Sequence, residues 1–258
     1  MSKDSLMKND ESKSRVNIKL IIEYDGTDFK GSQAQKDQRT VQDVMEDAIR
    51  KVTGEALRVT GCSRTDAGVH ARNYTLNFKT NTTIPPDRIL HPLNNLLPSD
   101  IRVKWSGEVP MDFNSRKNAK SKTYSYRFTL GTMDLPIGGR YRHTEKTNPD
   151  FDKMADAAKL FIGTHDFKAF RSTGTAVKDT VRTIYELELE KEKQDIVMTI
   201  KGNGFLYNMV RIIMGTLIEV GNGTKNIKDI SDALESGDRK KTGKVAPAKG
   251  LILEKVEY

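Results

Sequence analysis

The chain is poor in the residues that build disulfides and metal centres. It has one cysteine, Cys62, and four histidines among 258 residues. One cysteine cannot form an internal disulfide, and these residues do not show the Cys/His spacing of zinc ligands. The sequence also lacks an apolar run long enough to span a membrane, and its first residues lack the apolar core of a secretory signal. We therefore expect a cytoplasmic protein without a metal centre, in a reducing compartment.

Positive charge, by contrast, is in excess. Lys and Arg number 43 against 35 Asp and Glu, which gives a formal net charge of +8. Such an excess is typical of proteins that bind a polyanion such as nucleic acid. Acidic lipid, or a surface that only keeps the protein in solution, would explain the same excess.

The hydrophobic pattern predicts strands and helices interspersed along the chain. Apolar residues alternate over 16–24, as in a strand with one buried face, and Thr40 precedes apolar residues spaced for one face of a helix. Further strands are predicted at 57–60, 74–78, 101–105, 124–130, 185–189, 196–200 and 251–256. Further helices are predicted at 86–97, from a cap at Asn148 to Phe161, at 205–220 and at 226–235. This mixture predicts an α+β class, with helices on one side of the sheets.

Composition predicts three segments. Residues 1–15 are charged and nearly free of large apolar side chains, which predicts a disordered leader. A polar connector at 118–122 then separates two parts that each contain strands and helices. We therefore place one unit at 16–118 and a second at 119–258.

The densest cluster of functional side chains lies in a loop between two predicted strands. It consists of Gly61-Cys62-Ser63-Arg64-Thr65-Asp66-Ala67-Gly68-Val69-His70-Ala71. Small residues around Asp66 let the backbone approach a ligand closely, and Gly68 permits dihedral angles that a side chain would forbid. Arg64 and Asp66 could face the same cleft. These residues alone fit a turn capped by an aspartate as well as they fit a catalytic loop.

The same loop resembles the G-R-T-D-A-G-V-H-A signature of the TruA family of tRNA pseudouridine synthases. The resemblance continues, in order along nearly the whole chain, through motifs that include Tyr24-Asp25-Gly26-Thr27, Lys122-Thr123-Tyr124-Ser125-Tyr126, Met209-Val210-Arg211 and Ala246-Pro247-Ala248. It implies two ferredoxin-like (RRM-like) halves that form a central, mostly antiparallel sheet flanked by helices, with the active-site cleft between them. It also implies a homodimer that converts uridine to pseudouridine in tRNA, at positions 38–40 of the anticodon stem-loop, without a cofactor.

The resemblance gives four residues a role. Asp66 matches the catalytic aspartate, which either attacks the ribose or removes a ribose proton, and a carboxylate can do either without a metal. Arg211 matches an arginine that pairs with this aspartate and favours its ionised form. Tyr124 matches the tyrosine that stacks on the target uracil. Arg64 matches a residue that enters the space left by the extruded nucleotide. Cys62 and His70 are given no chemical role.

The chain departs from the family pattern at Ser32, Asn114 and Cys62. The segments around Ser32 and Asn114 are candidates for contact with RNA, so a paralogue that modifies other uridines stays an alternative. A second alternative is a non-catalytic RNA-binding protein of the same fold, which the basic charge favours. A third is a haloacid-dehalogenase-type phosphatase, because residues 23–27 resemble the D-x-D-G-T box, although Glu23 replaces its nucleophilic aspartate.

Overall fold

The computed structural model describes residues 15–174 and 177–258. Within these residues the chain forms strands β1 (Val16–Tyr24), β2 (Thr60–Gly61), β3 (His70–Thr80), β4 (Ile101–Val109), β5 (Ser121–Leu130), β6 (His143–Glu145), β7 (Gly163–Asp166), β8 (Val181–Glu192), β9 (Asp195–Gly202) and β10 (Leu251–Glu257). The α-helices are α1 (Val41–Thr53), α2 (Leu90–Leu96), α3 (Phe151–Ala158), α4 (Met209–Gly221) and α5 (Ile227–Ser236). Apart from Arg15, the predicted disordered leader lies outside the described residues.

All these strands belong to one sheet, with the order β4-β1-β3-β10-β5-β9-β8-β7. Strand β2 pairs with β3, and β6 pairs with β5. The strands β4-β1-β3-β2 have the order of a ferredoxin-like unit, and β10-β5-β9-β8 repeat it. The neighbours within each set are antiparallel. The predicted α+β fold with two ferredoxin-like halves is therefore confirmed.

The two sets of strands meet at β3 and β10, which run parallel. Only two residue pairs join these strands, Ile252 with His70 and Leu253 with Ala71. Strand β3 begins directly after the loop that carries Asp66, so this junction lies next to the candidate site.

Helix α1 shows how local sequence determines an element. The Thr40 side chain accepts a hydrogen bond from the Asp43 N–H, which caps the first turn, and Gly54 ends the helix in the left-handed region with φ of +77°. Its buried side chains, Met45 and Ile49 among them, belong to the same hydrophobic core as the buried face of β1. The predicted strand at 16–24 and the helix that begins after Thr40 are both confirmed.

Two predicted helix starts and the orientation of one side chain differ from the structure. Helix α3 is capped by Asp150 rather than Asn148, because the Asp150 carboxylate accepts from the N–H groups of the first turn. Helix α4 begins at Met209 rather than near residue 205, since Asn208 has a φ of +61° and cannot extend it. Alternation in the predicted strand 185–189 puts Tyr185 on the same face as the buried Leu187, but Tyr185 is 48% exposed because β8 has a register shift between Ile184 and Glu186.

None of the α-helices in the described part of the chain has the length and apolar character needed to cross a membrane.

Candidate active site

The backbone of the loop that carries Asp66 is fixed at Thr65. The Thr65 N–H donates to Ser32 Oγ at 2.8 Å, and the Ser32 N–H donates to the Thr65 carbonyl at 3.1 Å. The Thr65 hydroxyl is also 2.8 Å from the Tyr24 hydroxyl. Both Ser32 and Thr65 are buried, so these bonds are shielded from water. The loop is therefore held firmly on the side that precedes Asp66.

Two glycines allow the segment 26–31 to pack backbone to backbone against this loop. A Cβ atom at Gly26 would lie 2.0 Å from the Val69 carbonyl oxygen. A Cβ at Gly31 would lie 2.7 Å from the Thr65 carbonyl oxygen, and Gly31 has a φ of +97°. A side chain at either position would push the segment away from the loop.

Asp66 forms an ion pair with Arg211 across the two halves of the sheet. Arg211 Nη1 donates to Asp66 Oδ2 at 3.0 Å, and both side chains are mostly buried. Arg211 lies in the first turn of α4, and its Nε donates to the Ala246 carbonyl at 2.7 Å while Nη1 also donates to Asn208 Oδ1 at 2.7 Å. The guanidinium thus has three partners that fix its orientation. The sequence-predicted pair is together in the structure.

Burial and charge act in opposite directions on Asp66. Burial raises the pKa of the Asp66 carboxyl above its usual value, and the charge and hydrogen bond of Arg211 lower it again without cancelling the rise. The carboxylate is therefore a stronger base than an exposed aspartate. The ion pair with Arg211 uses Oδ2, and the side chain is partly exposed. Oδ1 is therefore able to contact a substrate.

Tyr124 is buried on β5, beside this loop. Its hydroxyl lies 3.1 Å from Ser63 Oγ, and its ring packs edge-on against Phe205 with centroids 5.2 Å apart. Burial raises the pKa of Tyr124 well above its usual range, so the phenol is neutral and can donate a hydrogen bond. Ser63 and Phe205 were not predicted as site residues, because only the folded chain brings them into contact with Tyr124.

Arg64 is the predicted site residue for which the described part of the chain supplies no partner. Its side chain is exposed and makes no hydrogen bond or ion pair with residues 15–174 or 177–258. The guanidinium is therefore available for a ligand. Tyr126, two residues after Tyr124, is by contrast a core residue that is fully buried and donates to the Pro247 carbonyl at 2.9 Å.

The residues that depart from the family pattern mainly support the loop or its surroundings. Ser32 is buried and its hydroxyl accepts from the Thr65 N–H, so its side chain supports the loop, while RNA contact by the surrounding segment stays a prediction. Asn114 Oδ1 accepts from the N–H groups of Arg116 and Lys117, each at 3.0 Å, which fixes a turn. Cys62 is fully buried, and burial raises its pKa to about 11, so it is a thiol rather than a reactive thiolate.

The aspartate of the phosphatase-like box also has a structural role. Asp25 Oδ1 accepts from the Thr27 N–H at 2.9 Å, and its other oxygen accepts from the Tyr141 hydroxyl at 3.0 Å. The buried His70 accepts from the Gly26 N–H at 2.9 Å, and burial lowers the pKa of its imidazole. Among the described residues, His, Cys, Asp and Glu form no group of three or more that could hold a metal ion.

Comparison with known proteins assigns the family. The family model for tRNA pseudouridine synthases matches residues 20–116 and 157–258. The chain is 49% identical over 242 residues to tRNA pseudouridine synthase A of Clostridium acetobutylicum and 50% identical over 242 residues to that of Clostridium kluyveri. Each match covers 94% of this chain and 99% of the relative. The chain therefore belongs to the tRNA pseudouridine synthase family.

This membership confirms the resemblance found in the sequence and the expectation of an enzyme, and it makes the phosphatase alternative wrong. Among solved structures, the archaeal box H/ACA Nop10–Cbf5 complex is 13% identical with a TM-score of 0.35, covering 90% of this chain and 58% of that chain. That likeness is too weak to add to the assignment, which rests on the sequence matches.

Proposed function

We propose that the protein converts uridine to pseudouridine in tRNA, at positions 38–40 of the anticodon stem-loop, with Asp66 as the catalytic residue. The observation that carries the proposal is a mostly buried carboxylate, on a loop fixed at Thr65, paired with Arg211 at 3.0 Å in a member of this family. The reaction breaks the N1–C1′ bond, forms a C5–C1′ bond, releases the C5 proton and returns a proton to N1. It is balanced without an oxidant, a reductant or an added group, so no cofactor is required.

Asp66 can begin this exchange in either of two ways. Its free carboxylate oxygen can attack C1′ as a nucleophile, or it can remove a ribose proton as a base. Both need the ionised carboxylate, which Arg211 favours inside a site that excludes water. Arg211 itself holds Asp66 in place through the bonds to Ala246 and Asn208.

Tyr124 binds the extruded base in this proposal, and Arg64 occupies the space that the base leaves. A uridine stacked in an RNA helix exposes neither C1′ nor C5, so the base must leave the stack. The Tyr124 ring can stack on the uracil, a contact worth roughly 1 to 3 kcal/mol. The exposed guanidinium of Arg64 is planar and can fill the vacated space against the neighbouring bases.

The test uses full-length protein and tRNA that carries tritium at C5 of uridine. Release of tritium to water measures the isomerisation, and mapping of pseudouridine along the product identifies the modified positions. Asp66→Ala should abolish release while tRNA binding persists. Asp87→Ala, which removes an exposed carboxylate, is the matched control and should remain active. Full activity of Asp66→Ala would refute the role of Asp66, and pseudouridine confined to other positions would refute the proposed target.

We further propose that the enzyme works in the cytoplasm, where its tRNA substrate is found, as a homodimer. Light scattering of the purified protein should give about twice the chain mass of 29.0 kDa. A mass equal to one chain at the concentrations that support activity would contradict the dimer.

A further inference from the structure

Lys122 is a cation next to the candidate site that has no hydrogen-bond or ion-pair partner within residues 15–174 and 177–258. It lies on β5 two residues before Tyr124, so both side chains are on the same face of the sheet. On β9 it is paired with Gly202, which has no side chain to cover it. Lys122 is half-buried, yet its ammonium makes no hydrogen bond and has no carboxylate within 4.0 Å among the described residues.

The charged groups that act most on Lys122 include two further cations. Burial lowers the pKa of Lys122, and the charges of Arg116 and Arg182 lower it further. Cys62 acts in the opposite direction but is a buried thiol without charge. Arg116 and Arg182 thus act on Lys122 with the same sign of charge, and Arg182 has its own ion pair with Asp179 at 3.9 Å. A partly buried cation without a counter-charge opposes folding, and an anion from outside would relieve this.

An open cleft with a volume of about 300 Å³ is lined by Arg116 and Ser63, among others. The Ser63 hydroxyl lies 3.1 Å from the Tyr124 hydroxyl, so this edge of the cleft is next to Tyr124. Lys122 precedes Tyr124 by two residues on β5. An RNA strand whose base stacks on Tyr124 would therefore pass near Lys122 and the cleft that Arg116 lines.

We propose that Lys122, together with Arg116, binds a backbone phosphate next to the extruded uridine. The inference rests on the proposed function, because it takes Tyr124 as the site of the uracil. An extruded nucleotide carries its flanking phosphates with it, and phosphate contacts fix the register of a nucleic acid on a protein. Arg211 already has Asp66 as its anion, whereas Lys122 has none among the residues that the structure describes, so Lys122 is the cation that can take the phosphate.

The first experiment separates binding from folding with Lys122→Met in the full-length protein. Loss of the phosphate contact should weaken tRNA binding about tenfold at low salt and reduce the slope of log affinity against log salt by about 0.7 to 0.9. The melting temperature should stay equal or rise by about 2 to 4 °C, since the variant removes a half-buried charge without a partner. Lys79→Met, which removes an exposed strand lysine that has no ion pair within the described ranges, is the control.

Weaker binding with a flatter salt slope, beyond that of Lys79→Met, supports the proposal. Affinity and slope equal to those of the wild type overturn it, and so does a loss of affinity that only accompanies a lower melting temperature. Lys122→Arg keeps the charge and should bind within about threefold of the wild type. If wild-type protein releases no tritium from tRNA at all, the proposed function fails instead, and this outcome is distinguishable because it does not depend on residue 122.

The first step of a second experiment uses only the wild-type protein, so it does not depend on the folding of a variant. Anticodon stem-loops with one neutral methylphosphonate at a time are bound to the wild-type protein, and one linkage beside the target uridine should show a loss of affinity. The same substitution should cause no further loss in Lys122→Met. Losses that multiply, or no sensitive linkage beside the target, would show that Lys122 and this phosphate do not interact.

Discussion

Replacing Arg211 with methionine should move the acid limb of the activity profile to higher pH. In the wild-type protein, burial already raises the pKa of Asp66, and Arg211 at 3.0 Å limits the rise. The proposed mechanism needs the ionised carboxylate, so we expect activity to be lost as pH falls through this pKa. Without the guanidinium, the carboxylate keeps its burial but loses its counter-charge, and its pKa must rise further.

The size of this shift follows from the geometry of the pair. A guanidinium beside a carboxylate lowers its pKa by about 1 to 3 units, which corresponds to about 1.4 to 4 kcal/mol. Because Asp66 and Arg211 are only 21% and 16% exposed, solvent screens their interaction weakly. The acid limb of single-turnover tritium release should therefore move up by about 1 to 3 pH units in Arg211→Met. Raising the pH should restore part of the activity that this variant loses at neutral pH.

Arg211→Lys distinguishes the effect of the positive charge beside Asp66 from the effect of the hydrogen bonds that hold the guanidinium in place. Lysine keeps a positive charge near Asp66, but it cannot reproduce the separate bonds from Nε to Ala246 and from Nη1 to Asn208. We expect a slower reaction with an acid limb close to that of the wild type. An Arg211→Met profile that is the wild-type profile scaled down, with no displacement along the pH axis, would refute the electrostatic role and leave only positioning.

Three further predictions concern the loop that carries Asp66 and the ring of Tyr124. Ser32→Ala leaves the buried Thr65 N–H without an acceptor and should cost about 1 to 3 kcal/mol in denaturant unfolding, with slower turnover. Gly26→Ala places a methyl group on the Val69 carbonyl and should cost about 1 to 3 kcal/mol, whereas Gly131→Ala, with its nearest neighbour at 3.6 Å, should be close to neutral. Tyr124→Ala should abolish tritium release, while Tyr124→Phe, which keeps the ring, should keep most substrate affinity; an active Tyr124→Ala would remove this residue from the site.

Elements with strong periodicity could be predicted from the sequence, and those determined by tertiary contacts could not. Strand β1 and helix α1 match their predictions because alternation and a Thr40 cap act within a few residues. Strand β2 was predicted at 57–60 but comprises only Thr60–Gly61, since its pairing depends on the distant β3. The register shift in β8, which turns Tyr185 outward, likewise arises from pairing with β9 rather than from local preference.

The candidate site divides in the same way. Asp66, Arg64, Tyr124 and Arg211 could be named because a long motif resemblance specifies residue types at fixed positions. The function of Ser32 could not, because its bond to Thr65 joins residues 33 positions apart and no periodic pattern signals it. The sequence likewise presents Lys122 only as one residue of a motif. Its interest comes from the lack of a hydrogen-bond or ion-pair partner among the described residues, which only the folded structure can show.

The chemistry of this site depends on how the two halves are joined. Asp66 comes from the loop before β3 and Arg211 from α4, so neither ferredoxin-like half contains the ion pair by itself. The halves meet through two residue pairs between β3 and β10, with Asn73 Nδ2 donating to the Glu254 carbonyl at 2.7 Å close by. A displacement of 1 Å at this junction would lengthen the 3.0 Å contact beyond hydrogen-bond reach. Arg211 would then limit the rise in the Asp66 pKa less, so the way the two halves are joined contributes to the ionisation of Asp66.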